Sequence, residues 1–373
     1  MKTILAAMLA MLLGACVTPA PPQPSGPGRI QVGFISEPRS GELMTPEGSA
    51  ALLSGIQATM VDPPRHPTQP ARNRQLVIPS GPVLPALGRP AEMNALMFVA
   101  AGPGPHPTLL HLHGLPGNER NLDLAQAVRR AGWNVLTFTY RGAWGSEGTF
   151  SIQHAVADTE AALDWLRSEA AARNFGVDRS RIVIGGHSMG GYMAAHVAAR
   201  DDGQSGERLE CQDICSPAAA VEAEARRAPP LAGVILLDAW DIGATARMVK
   251  AGGAQGRAGL VAELDDVGHA LGSITAADLV DELILRGEQW DLAGLAPTLA
   301  LFPTLTVYAT HGGAQENKAV AAAIENACPS ADIPTCAPFR KVELPTDHAF
   351  ADHRLALARE VVGWLSGAPR ATR

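Results

Sequence analysis

The sequence predicts an α/β fold: a mostly parallel central sheet with helices on both faces and a helical cap inserted late in the chain. Three observations predict it. Short, mostly apolar runs, such as residues 108–111, 134–139, 181–184 and 234–237, alternate with stretches of helical length and pattern, as in a sheet covered on both faces. One of those runs leads straight into Gly186-His187-Ser188-Met189-Gly190, and a helical segment follows at once. Finally, 46% hydrophobic and 18% charged residues in a chain of 373 supply enough apolar surface for one large core and exclude a disordered chain.

Taken in order, residues 30–36, 75–78 and 95–99 read as short strands among Pro and Gly turns. Alternation then begins with strand 108–111, helix 122–131, strand 134–139 and helix 155–172. Strand 181–184, helix 192–200 and strand 234–237 follow, and the chain closes with strand 304–308, helix 318–327, strand 340–344 and helix 354–365. Two stretches interrupt this rhythm. Residues 201–230 are polar and read as an insertion after a helix. Residues 241–300 are helix-rich, with Ala/Leu patterning and Gly-rich joints. They lie between two strands at the sheet end where ligands bind, the place for a cap over a site.

Acidic residues outnumber basic ones 37 to 30 for a net charge of −7, and no Lys/Arg cluster breaks that balance, which argues against nucleic acid as a partner. The 38 Gly and 29 Pro follow no three-residue period and no longer repeat, which excludes collagen-like and solenoid chains.

Residues 1–15 read as an export signal, with Lys2 at the positive end and an apolar run of about ten residues, too short to span a bilayer. The run ends Leu13-Gly14-Ala15-Cys16, which resembles a bacterial lipobox. That resemblance implies lipidation of Cys16 and removal of the first 15 residues; Val17 next to it implies the outer membrane, facing the periplasm. Residues 16–29 are then a Pro-rich tether to a domain of residues 30–373, and membrane attachment is by lipid alone. Four cysteines remain. In an oxidising compartment their sequence proximity favours Cys211–Cys215 and Cys328–Cys336. No His or further Cys completes a four-ligand zinc set nearby.

The segment Gly186-His187-Ser188-Met189-Gly190 is a G-x-S-x-G in a strand–turn–helix context. Such a turn is so tight that only glycine fits beside it, and it lifts the Ser188 hydroxyl above the sheet. No phosphate-loop or dinucleotide glycine pattern competes with it. From this point residues 74–366 resemble the α/β-hydrolase superfamily. His113-Gly114-Leu115-Pro116-Gly117 is similar to that family's oxyanion loop. The resemblance implies that the backbone N–H groups of Leu115 and Met189 form an oxyanion hole. Residues 140–148 (YRGAWGSEG) look most like the branch of prolyl-oligopeptidase-type peptidases and dienelactone-hydrolase-like esterases. The region before residue 74 is far too short for the propeller of those peptidases.

The D-H-x-F pattern at Asp347-His348-Ala349-Phe350, ahead of a closing helix, resembles the family's catalytic histidine. His348 would take the Ser188 proton; His353 is the competitor, read as a capping or surface residue. His187 reads as a packing residue of the elbow. The acid departs from the family pattern: Gln315 stands where the loop 310–317 would carry it. Asp238, ending a strand in a segment similar to platelet-activating-factor acetylhydrolases, and Glu316 both remain candidates, with Asp241 a third. The resemblance implies a serine hydrolase acting on a small-molecule ester or, less favoured, an amide, with no cofactor and no metal. An acyltransferase or peptidase on the same fold, or an inactive envelope-binding lipoprotein, are the alternatives.

Overall fold

The computed structural model describes residues 57–201, 229–265, 268–272, 274–328 and 336–367. The signal, Cys16, the tether, the strand expected at 30–36 and the Cys211–Cys215 pair lie outside the described residues.

Eight strands form one sheet: β1 (Arg72–Leu84), β2 (Arg89–Val99), β3 (His106–Leu112), β4 (Asn134–Phe138), β5 (Val177–His187), β6 (Gly233–Leu237), β7 (Thr304–His311) and β8 (Phe339–Asp347). Their spatial order is β1-β2-β4-β3-β5-β6-β7-β8. From β4 through β8 every neighbouring pair is parallel. The sheet is mostly parallel, as expected; at its N-terminal edge β1 pairs with β2, and β2 with β4, antiparallel. Physically, β1 and β2 are joined by a short turn at 85–88, which permits only an antiparallel pair.

The central strands β3, β4 and β6 are buried along their whole length, which is why they read as mostly apolar runs without the alternation of a half-exposed strand. Successive side chains still point to opposite faces. Leu110, Leu136, Ile184 and Leu236 join a core on one face, while Leu109, Val135, Val183 and Ile235 join a core on the other. Helices α1 (Leu122–Arg130) and α10 (Arg354–Ser366) cover the second face. On the first lie α2 (Ile152–Arg167), α3 (Glu169–Phe175) and α4 (Met189–Arg200).

The single helix expected over 155–172 is two helices, α2 and α3. Ser168 takes an extended ψ of 151° and its side chain accepts from the Ala171 N–H, capping a new start. A Ser whose hydroxyl competes with the helix ladder is a natural break of this kind.

Between β6 and β7 the chain is helical. It forms α5 (Ile242–Ala251), α6 (Gly253–Leu264), α7 (Ala276–Arg286) and the short α8 (Ala296–Leu299). Asp241 starts α5 by accepting from the Ala244 N–H, and Thr275 with Asp278 closes a capping box on α7. Leu260, Leu264, Leu279 and Leu283 pack into the same core as α4, so this insertion is anchored to the body of the domain. After β7 comes α9 (Ala314–Ala327), whose end is tied to the approach to β8 by a Cys328–Cys336 disulfide.

Candidate active site

The turn between β5 and α4 holds Ser188 at φ 56°, ψ −122°, a conformation that costs a non-glycine residue about 1–3 kcal/mol and persists only when its surroundings impose it. Here they do. The Ser188 N–H donates to Leu237 O at 3.0 Å, and Ser188 O accepts from Gly191 N at 2.9 Å and Trp240 N at 3.0 Å. A Cβ on Gly186 would stand 2.6 Å from Leu112 O, and one on Gly190 would collide with the same carbonyl. Both glycines are therefore steric requirements. Met189 begins α4, so its N–H has no acceptor within the helix and is available at the Ser188 end.

The loop after β3 leans on this turn. A Cβ on Gly114 would lie 2.8 Å from the Ser188 Cβ, which brings the backbone next to Leu115 against the serine. Residues 140–150 brace that loop from behind: Trp144 Nε1 donates to Pro116 O at 2.6 Å and Tyr140 Oη to His113 O at 3.3 Å. They are held in turn by the buried Arg141–Asp158 ion pair, whose carboxylate also accepts from Ser80 Oγ at 2.6 Å.

Of the acid candidates, the structure brings Asp238 to His348. Asp238 Oδ2 lies 2.6 Å from His348 Nδ1 and also accepts from the Gly313 N–H at 3.0 Å. Its Oδ1 accepts from the Ala309 N–H at 3.1 Å and Asn317 Nδ2 at 3.3 Å. The Asp238 side chain is fully buried, and a carboxylate stripped of water needs such a set of donors. The loop that lacks an acid at Gln315 thus contributes backbone donors, and a Cβ on Gly312 would collide with Asp238 Oδ2. Because Nδ1 donates to Asp238, Nε2 is left as the basic nitrogen of His348.

Glu316, the other candidate, lines the same pocket but does not touch His348. Asp241 is occupied as the cap of α5, and His353 sits at the start of α10 with its Nδ1 3.0 Å from Asp352 Oδ1.

His187 does more than pack. Its Nε2 donates to His348 O at 2.7 Å, and the two rings stand 4.6 Å apart. Burial, reinforced by the neighbouring His348, pushes its pKa well below the ordinary histidine value, so it is a neutral donor. Nothing in the sequence flags this, since the bond spans 161 residues.

Ser188, Asp238 and His348 open onto a narrow pocket of about 60 Å³. One side comes from the segments that follow β6 and β7 at the sheet end: Ala239, Trp240, Gly313 and, in the first turn of α9, Glu316. The other comes from the helical insertion: Thr245 and Met248 of α5, Leu260 and Glu263 of α6. Burial raises the Glu263 pKa to about 7.

A family model for the alpha/beta hydrolase fold matches residues 118–301. The lysophosphatidylserine lipase ABHD12 of Rattus norvegicus is 30% identical over 98 residues, 26% of this chain and 23% of that protein. An uncharacterized protein of Salmonella typhi, YfhR, is 35% identical over 85 residues, 22% of this chain and 27% of that one. The match thus spans about a quarter of these relatives' length. In three dimensions the acylaminoacyl peptidase of Pyrococcus horikoshii superposes with a TM-score of 0.50 at 12% identity, over 82% of this chain and 43% of that one.

Proposed function

We propose that this chain, whose residues 118–301 match a model of the alpha/beta hydrolase fold, is a serine hydrolase of that superfamily, cleaving a carboxylic ester, or less readily an amide, through an acyl-enzyme. One observation carries the reading: the 2.6 Å contact of His348 Nδ1 with the buried Asp238, in the pocket that Ser188 also lines. His348 Nε2 takes the proton as Ser188 Oγ attacks the carbonyl carbon. Asp238 fixes the imidazole tautomer and stabilises the imidazolium that forms. The Leu115 and Met189 N–H groups receive the developing oxyanion, and one such donor contributes roughly 2.7–4 kcal/mol of barrier lowering. The imidazolium then protonates the leaving group, and water attacks the acyl-enzyme by the reverse route. The mostly apolar lining from Trp240, Met248 and Leu260 suits an apolar acyl or aromatic group.

The lipobox-like segment ending at Cys16 supports a further part of this reading: an exported enzyme, lipid-anchored in the envelope and facing the periplasm. Treating folded protein with a fluorophosphonate and mapping the adduct tests the catalytic claim. Labelling of Ser188 that disappears in Ser188→Ala and in heat-unfolded protein is the expected result, and an unlabelled Ser188 in folded protein defeats the proposal. Mass analysis of the mature N-terminus tests the anchor: a diacylated Cys16 is expected, and an unmodified or earlier N-terminus excludes it.

A further inference from the structure

Two carboxylates in the pocket have no part in the Ser188–His348–Asp238 arrangement. Glu263 projects from α6 and Glu316 from the first turn of α9, and both line the cavity. The pocket's other acids are committed: Asp238 to His348 and three further donors, Asp241 to the N–H groups of Ala244 at 2.9 Å and Leu292 at 3.3 Å. Glu263 and Glu316 have no such commitment. Among the described residues no cation or hydrogen-bond donor reaches either of them, and Glu316 Oε2 is sealed from solvent without a partner. No Lys or Arg lines the pocket.

An unsatisfied buried carboxylate oxygen is costly, and one that a native protein keeps calls for an explanation, of which a bound donor is one. Trp240, Met248 and Leu260 line the same pocket as the two acids and the serine, and such apolar walls suit a hydrocarbon stem. An indole face also attracts an organic cation. No group of three His, Cys, Asp or Glu side chains among the described residues is placed to hold a metal ion.

We propose that the pocket selects substrates carrying an organic cation, an ammonium group on a short apolar stem, with Glu263 and Glu316 as its acceptors. This rests on the hydrolase reading above and adds the substrate class to it. Neither glutamate touches the reacting atoms, so both act on binding and specificity.

The test needs first only the wild-type protein and a matched pair of substrates, 4-nitrophenyl 6-aminohexanoate and 4-nitrophenyl heptanoate. A kcat/KM ratio favouring the amine by about ten-fold or more is expected, the size of one charge-assisted hydrogen bond. A neutral ester turned over as fast as the amine, or faster, overturns the inference. In Glu263→Gln/Glu316→Gln the ratio should fall to near unity, and a ratio kept at its wild-type value also overturns it. Calorimetric titration of wild-type protein with hexylammonium chloride and with 1-hexanol provides a readout that needs neither turnover nor a variant. Hexylammonium should bind about ten-fold more tightly, and equal affinities refute the proposal. The two readings fail separately. A Ser188 without label or turnover in protein that still prefers hexylammonium removes the hydrolase and leaves the cation pocket, whereas labelled Ser188 with no amine preference does the reverse.

Discussion

The two sides of the pocket are built by opposite means. On the sheet side, position is fixed through the backbone. Gly114, Gly186, Gly190 and Gly312 stand where any side chain would strike a neighbour, and every oxygen of Asp238 has its donors. On the helical side, Met248, Leu260 and Glu263 reach in from α5 and α6 as side chains alone, and Glu263 meets no partner. On the proposed reading the contrast assigns two tasks: the sheet side would set the chemistry, which tolerates no displacement, and the inserted helices would set what is admitted, which side-chain exchange can tune.

The largest effects should therefore come from the sheet side. Ser188→Ala should lower kcat by roughly 10⁴–10⁶-fold, and Asp238→Asn by about 10⁴-fold, by presenting the wrong imidazole tautomer. Glu316→Gln should cost far less in kcat on a neutral ester. Steady-state rates on 4-nitrophenyl butyrate measure all three, and comparable losses in Asp238→Asn and Glu316→Gln would contradict the assignment of the acid. Next in size is His187→Phe. It removes the donor to His348 O, and loosening the histidine should reduce kcat about ten- to a hundred-fold with little change in KM. A loss confined to KM, or none, would reduce His187 to packing.

Acid stability probes the same side in another way. Burial lowers the pKa of His111 and of His113 to about 4. The unfolded chain takes up protons at these residues from about pH 6.5 downward, while the folded state refuses them until about pH 4. Their contribution to stability is thus complete above about pH 6.5 and is lost as the pH falls from there toward 4. Thermal melts across that window should show Tm falling, with a shallower slope in His111→Gln. An unchanged slope would remove His111 from the account.

The smallest effect on chemistry should come from the helical side. Leu260→Ala should destabilise the fold by about 2 kcal/mol or more and alter KM for longer acyl chains, with kcat on a short ester nearly kept. A collapse of kcat would mean that the insertion also positions the reacting groups.

This division also explains what could be read in the sequence. The strands were legible because β3, β4, β5 and β6 carry mostly apolar runs, and the Ser188 turn because its glycines are steric necessities that leave a fixed spacing. The break at Ser168 was not, since Ala-rich sequence continues through it and only an extended ψ divides the helix. The acid stayed open between Asp238 and Glu316 because the choice turns on which carboxylate faces His348 across 110 residues. No local pattern encodes that, nor the still more distant bond from His187. A mostly parallel sheet was legible, but not which strands depart from it: strand direction is set by connection length, and the short turn at 85–88 carries no apolar signature.

Asp238 sits at the end of β6, beside the strand that carries Ser188, and the loop after β7 serves it only through amides. The usual location of information in that loop is thereby inverted. Between Gly312 and Asn317 the position of Gln315 should accept almost any residue, while Gly312, whose Cβ would strike the Asp238 carboxylate, should accept none. A search pattern that demands an acid five residues past the start of that loop would pass over this chain. One asking for Asp at the end of the sixth strand, with paired glycines one strand further on, would find it and any others built the same way.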